Sequence, residues 1–478
     1  MQHRSSKTVR KAARRRQRKA KQKQRKAILT NRQELQRALG RFVIPDMFTD
    51  LKQHGNTRWI HTLLLRTSLF WMISERRNWR RKFREVVRVC VAENDDDQSL
   101  TFEGFLKAVR REYVVMTERL IARLREVMID DIPPELRQVS GRDVFAVDGT
   151  SLELPRTLAN QKSFCGDGVD VEDESGSECA WKQTPQMHLT TLWHVNSALP
   201  WEWRAAPGDT SERHDLRAMV GSLPEQALVV ADAGFVGYDL WEAVLAEHVD
   251  FVVRVGSNVH LIEGLEPTGD RDDWVSFWPH EARRAGQPPR TLRLVKTKLG
   301  KTDAYLVTNV LDPENLSDLD VAALYRARWG VEVFFRGLKQ TFDRRRLKGR
   351  TPESALAELH LSMLALCTLH LMGLLASSEI QQASPSLPPL STTGLLDAVR
   401  DALSCPDLHP PDQESLSQQL RGAHLDGYQR EGSKRSRRYP RQNQQGKCGS
   451  PVIRAPIREE QTKLATLIRK GLYQPSAI

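Results

Sequence analysis

Four side chains able to grip phosphate or a metal-bound ligand lie in one stretch, YRARWGVEVFFRGLKQTF, residues 325–342. Tyr325, Arg328, Glu332 and Lys339 are set among Val331, Val333, Phe334, Phe335, Leu338 and Phe342, which have the pattern of a buried helix. At ~100° per residue, with Tyr325 at zero, Arg328 falls near ~−60°, Glu332 near ~−20° and Lys339 near ~−40°. The four share a narrow arc beside the apolar arc of Leu324, Val331, Phe335, Leu338 and Phe342. A solvated stripe with Arg328 and Glu332 as an i, i+4 pair, worth a few tenths of a kcal/mol, is the plain alternative. The close alignment of all four argues for a site.

Two more carboxylates could join Glu332. Asp148 follows the apolar run VFAV and precedes Gly149, and Asp232 follows ALVVA and precedes Ala233 and Gly234. Each reads as the carboxyl end of a strand beside small residues that let a ligand approach. Either alone is an ordinary Asp-Gly-type turn. Three carboxylates in one place repel one another unless cations lie between them, and oxygen-only ligands select Mg²⁺, with Mn²⁺ as substitute. Two such ions ~4 Å apart can activate a water or a 3′-hydroxyl and stabilise the leaving oxygen of a phosphodiester. His188, His194 and His214 lack a fourth ligand at zinc spacing and read as structural.

Charge points to a polyanion. Residues 1–26 hold thirteen Lys or Arg and no acid, and residues 421–478 hold thirteen basic and four acidic residues. The whole chain is only +12, so the body between these ends is acidic. Basic ends that neutralise phosphates release counterions, which fits DNA as partner. Six scattered cysteines without a C-x-x-C pair argue against a zinc finger and a disulfide framework, and point to the reducing cytoplasm. The apolar run at 355–376 is long enough to span a bilayer, but Glu358, His360 and His370 within it and Thr-Pro-Glu before it make it a core helix; no membrane span is expected.

The surrounding pattern divides 478 residues into several parts. A basic arm (1–30) precedes a helical DNA-binding domain (31–140), in which Thr101 and Glu103 resemble a helix cap. Strands and helices alternate over 141–256, as in an α/β domain. Residues 257–311 read as a β-rich insertion, 312–376 as the second part of the α/β core, 377–400 as a linker and 401–478 as a basic C-terminal region.

The spacing Y-(2)-R-(3)-E-(6)-K, preceded by VFAVDGT and VVADAGF, resembles the signature of the insertion-sequence-four family of DDE transposases, in order from about residue 140 to 376. The resemblance implies an α/β fold: a ribonuclease-H-like mixed sheet flanked by helices and interrupted by a β-rich insertion, with helical N- and C-terminal regions. It implies that Asp148, Asp232 and Glu332 are catalytic and bind two Mg²⁺, and that Tyr325, Arg328 and Lys339 contact DNA phosphates. It implies terminal inverted repeats and target DNA as partners, and a homodimer in the synaptic complex. Some relatives flip a base onto a tryptophan of the β-insertion; Trp274 and Trp278 are the residues for that here, or else are a strand's buried aromatics. The acidic loop at 165–178 has no counterpart in the family pattern. A nuclease of the same fold that does not join DNA, and a non-catalytic DNA-binding protein from a decayed element, are the alternatives.

Overall fold

The computed structural model describes residues 31–52, 58–75, 78–91, 100–165, 184–265, 273–300, 302–378, 390–404, 414–424 and 449–474. The basic arm, nearly all of the acidic loop and the stretch 425–448 lie outside the described residues. The chain forms two compact units interleaved in sequence: one from residues 1–136, 152–186 and 336–426, the other from 137–151, 187–335 and 427–478.

The second unit is built on one ten-stranded mixed sheet. Its strands are β1 (Val144–Glu153), β2 (Gln186–His194), β3 (Leu199–Pro207), β4 (Leu228–Ala231), β5 (Asp250–Val255), β6 (His260–Glu263), β7 (Trp274–Phe277), β8 (Arg290–Leu299), β9 (Thr302–Thr308) and β10 (Val452–Arg454). Five of them run in the order β3-β2-β1-β4-β5, with β1, β4 and β5 parallel and β2–β3 an antiparallel hairpin. That is the ribonuclease-H-like mixed sheet expected. Where β1 pairs with β4, Val144, Phe145 and Ala146 face Leu228, Val229 and Val230, and all six are buried. Such uninterrupted apolar runs suit parallel strands covered on both faces.

The β-rich segment is not a separate body. β9 pairs antiparallel with β5, and β8, β7 and β6 extend the same sheet outward. The reason is the edge that β5 would otherwise expose, a row of unpaired amides and carbonyls. Residues 449–474, assigned from composition to a basic C-terminal region, also join this unit. β10 pairs parallel with β6, and Glu460, on the helix Arg458–Arg469, is 1% exposed. Glu460 accepts from Arg454 Nη1 (2.9 Å) and Nη2 (2.6 Å), from the Ile457 amide (3.0 Å) and from Arg283.

The first unit is helical. Its centre is the helix Pro352–Ser378, which packs against the helices His61–Ile73, Phe102–Asp131, Thr392–Ser404 and Leu416–Gly422. Among the described residues it is the one helix long and apolar enough to cross a bilayer, and 94% of its most apolar 18-residue window is buried. A helix apolar all round needs neighbours on every side. That need draws residues 336–426 to the N-terminal helices, so the linear division expected at 312–376 is replaced by a boundary after Phe335. The Glu358 carboxylate accepts the amides of Lys348 (2.7 Å) and Gly349 (2.9 Å), closing the turn before the helix. A Cβ at Gly349 would collide with the Ala355 backbone, so this position requires glycine. Thr101 caps Phe102–Asp131 through the Gly104 amide (3.1 Å), at the expected cap site.

Just before β1, Asp143 is 5% exposed and accepts from Arg137, from Gln138 Nε2 (2.9 Å) and from His194 Nε2 (3.1 Å). His194 also meets Ser197 Oγ at 2.7 Å, which accounts for it as a structural histidine. Burial by itself would raise the Asp143 pKa, but the hydrogen bonds from His194, Arg137 and Gln138 hold it well below the usual carboxylate range. Removing one partner of a buried pair costs about 3–5 kcal/mol, so Asp143→Ala should lose that much unfolding free energy at pH 7. The folded pKa lies below the unfolded value of ~3.9, so the contribution is complete above that pH and is lost progressively below it. Urea titrations of both proteins at pH 7 and pH 3 check this; a gap that fails to narrow in acid contradicts it.

Candidate active site

Asp148, Asp232 and Glu332 all belong to the sheet unit. The β1–β4 ladder ends with Ala146 opposite Val230; Asp148 lies two residues further along β1, and Asp232 directly follows β4. Asp148 is inside β1 rather than at its end, because β1 continues to Glu153 after it has left β4. Its Oδ1 accepts the Gly149 amide at 2.9 Å. Asp232 follows β4 as expected and accepts the Ala233 amide at 2.6 Å, opening a short 3₁₀ turn, Ala233–Phe235.

The signature stretch is not one uniform helix. An α-helix, Asp318–Ala327, tightens at its end, where Trp329 N bonds Arg326 O (3.2 Å), Val331 N bonds Arg328 O (3.1 Å) and Glu332 N bonds Trp329 O (3.2 Å). A second α-helix, Gly330–Arg336, is followed by a π-helical turn, Gly337–Thr341. The physical cause of the tight turn is Trp193 on β2: a Cβ at Gly330 would collide with its ring, so the chain is pressed against the sheet there. The projection at a constant angle per residue therefore does not hold across this stretch. Lys339 lies on the π turn, in the helical unit, where burial and Arg345 lower its pKa against the pull of Glu153.

The centre of the site is Arg328, 7% exposed. Its Nη1 lies 3.5 Å from Asp148 Oδ2 and its Nη2 lies 3.2 Å from Glu332 Oε1. The guanidinium stands 5.6 Å over the Tyr325 ring, and Tyr325 Oη donates to Asp232 Oδ1 at 3.4 Å. Arg328 and Tyr325 thus tie the three carboxylates together. Burial disfavours the charge on Arg328, but Tyr325, Asp232, Asp148 and Glu332 outweigh burial and hold its pKa above the ordinary value. Burial raises the Asp148 pKa, with Glu212 and Glu332 adding to the rise and the Gly149 amide and Arg328 opposing it. The Tyr325 hydroxyl is raised by burial and by Asp232.

Among the described residues no three His, Cys, Asp or Glu side chains stand at metal-ligating spacing. The carboxylates are instead turned on the guanidinium, a cation of fixed shape. The donor set still fits a hard divalent ion: three carboxylates, all oxygen, around a buried positive charge. A divalent ion held there would compete with Arg328 for the same oxygens.

Two neighbours of the site, Glu212 and Trp329, were not picked out from the sequence, and a third, His188, was read there only as structural. Glu212 and His188 pack over Gly149, and a Cβ there would collide with both. His188 Nε2 is 3.4 Å from Glu212 Oε1. The glycine after Asp148 therefore makes room for these side chains and not for a ligand, whereas a Cβ at Gly234 would meet nothing within 4 Å. Trp329 is 56% exposed, next to the buried Arg328. Its helical angle of ~+40°, beyond the polar arc, was the signal available. Trp274 and Trp278 are both buried, and Trp278 Nε1 donates to Gln287 O at 2.8 Å.

Residues 139–368 match the sequence model of the transposase DDE domain. The transposase InsG of insertion sequence element IS4 from Escherichia coli (strain K12) is 24% identical over 240 residues, 46% of this chain and 49% of that protein. A second curated relative, from Sinorhizobium fredii, is 25% identical over 150 residues, 30% of this chain and 42% of that one. The chain thus spans half or less of the length of these relatives. Among solved structures, the piggyBac transposase in a synaptic complex with hairpin DNA aligns with a TM-score of 0.39 at 12% identity, over 83% of this chain and 86% of that one. Residues 139–368 are thus similar to the transposase DDE domain, and part of the chain is similar to the transposase of an insertion sequence element.

Proposed function

We propose that the protein is a DNA transposase that binds the terminal inverted repeats of an insertion sequence, cleaves at its ends and joins them to target DNA. Asp148, Asp232 and Glu332 are its catalytic carboxylates and the ligands of Mg²⁺, which Mn²⁺ can replace. The observation that carries this reading is the meeting of all three at Arg328 and Tyr325 within the stretch similar to a DDE domain. Bound there, divalent ions would polarise the attacking oxygen and steady the leaving one.

The chain's own residues supply position and charge. Arg328, already buried and fixed by its neighbours, exchanges carboxylate partners for a phosphate oxygen; Tyr325 offers a hydroxyl and Lys339 a point charge. In cleavage a water oxygen bonds to phosphorus as the bond to the 3′ oxygen breaks, leaving a 3′-hydroxyl. In joining, that hydroxyl bonds to a target phosphorus as the target's own 3′ oxygen departs, so the number of phosphodiesters is kept. Trp329 is the better stacking platform for an unpaired base than Trp274 or Trp278, because its ring is exposed and theirs are buried. The helices of residues 31–136 read the repeat, the arm at 1–30 holds the backbone, and a homodimer brings two ends together in the cytoplasm, at the nucleoid.

Glu332→Gln should lower strand cleavage by at least ~10²-fold while duplex affinity changes only a few-fold. A parent protein that binds but never cleaves would leave the non-catalytic reading, and products cut but never joined would leave the nuclease. Deleting residues 1–26 removes thirteen basic side chains and should flatten the salt dependence of DNA affinity by ~0.9 in log–log slope for each phosphate that the arm neutralises. An unchanged slope assigns the arm another task. Trp329→Ala should weaken binding to end DNA carrying an unpaired base by ~1–3 kcal/mol and leave fully paired DNA unaffected, read by competition titration.

A further inference from the structure

The helical unit contains a cavity of ≈ 250 Å³ that the proposed chemistry does not use. Two features of its walls are matched. Trp71 and Trp79 supply aromatic surface, with ring centroids 5.1 Å apart at 86°. Five basic side chains line it against a single carboxylate, Glu358. That carboxylate is already engaged by the amides of Lys348 and Gly349 and lies 3.9 Å from Arg344. Arg344 is 7% exposed and Lys82 Nζ stands 5.7 Å over the Trp71 ring.

Of the five, Arg344 is buried and Lys82 half-buried, while Arg110, Lys348 and Arg350 are exposed and Lys348 pairs with Asp343 at 3.7 Å. The positive charge of Arg344 and Lys82, withdrawn from water, favours an anion beside it. The strain is visible at Lys82, whose pKa is lowered to about 7 by burial and by Arg344, Lys348 and Arg400, with only Glu358 acting the other way. A second sign of an absent partner is Trp71, 6% exposed, whose indole N–H has no acceptor. The ligand these walls fit has a flat ring and a phosphate. The volume lies below the ~300–1,000 Å³ of pockets for larger ligands, so it admits one such unit and no duplex.

We propose that this cavity binds a single unstacked nucleotide, its base against Trp71 and Trp79 and its phosphate in the field of Lys82, Arg344 and Lys348. Base–aromatic stacking and a charge-assisted phosphate contact are the two terms of its affinity. The unit is either a free nucleotide or an unpaired residue of a DNA strand.

Calorimetric titration of the full chain in buffer free of divalent cations separates this site from the proposed cleavage. The probes are deoxyadenosine monophosphate, a five-nucleotide single strand and inorganic phosphate. The nucleotide or the strand should bind, and Trp79→Ala and Lys82→Met should each weaken that binding at least tenfold with circular dichroism unchanged. Binding of both probes assigns free nucleotides and strands alike; binding of the strand alone assigns an unpaired DNA residue. Should the variants misfold, 2-aminopurine in the same strand should lose its fluorescence on binding the wild-type protein, as stacking on indole requires. Absence of binding to both, indifference to both folded variants, undiminished 2-aminopurine emission, or phosphate binding as tightly as the nucleotide would each overturn the proposal.

Discussion

Three carboxylates near one another are stable only in the company of positive charge, and in this protein the charge is a buried guanidinium. Arg328 lies between Asp148 and Glu332, and Tyr325 beneath it reaches Asp232. Charges removed from water interact strongly because the surrounding dielectric is low, and each unpaired one is costly. The same physics that makes the cluster hold Arg328 would let it take a divalent ion, as the proposed function requires. The surrounding sheet is arranged to keep these groups together: parallel pairing joins β1, which carries Asp148, to β4, which Asp232 follows, and a glycine against a tryptophan brings the glutamate helix down onto the strands.

The sheet itself answers a related constraint. A parallel core with an exposed edge at β5 would offer its amides to any passing strand. The β-rich segment closes that edge, and its own edge is closed by β10 from near the C-terminus, held by Glu460 between Arg283 and Arg454. In the helical unit the organising element is Pro352–Ser378, whose apolar surface on all sides collects helices from before and after the sheet.

Much of this was legible in the sequence where the signal is local. Asp148, Asp232 and Glu332 stood out because carboxylates beside apolar strands and within an apolar helix are chemically conspicuous, and the alternation of strands and helices over 141–256 and the β-rich character of 257–311 followed from local pattern. What stayed hidden depends on partners distant in sequence. The turn at Gly330 is set by Trp193, the space over Gly149 is filled by Glu212 and His188, and neither contact leaves a periodic trace. The continuity of β5 with β9, and the attachment of residues 336–426 to the N-terminal helices, likewise arise from surfaces that must be covered and not from the segments' own propensities.

Anomalous scattering from crystals of the DNA-bound protein soaked in Mn²⁺ reads the carboxylate cluster directly. Manganese should appear among Asp148, Asp232 and Glu332, with Arg328 displaced from their oxygens toward a phosphate. A fully folded, DNA-bound protein in which no manganese enters, and in which Arg328 still bridges Asp148 and Glu332, would contradict the assignment of these residues as the catalytic centre.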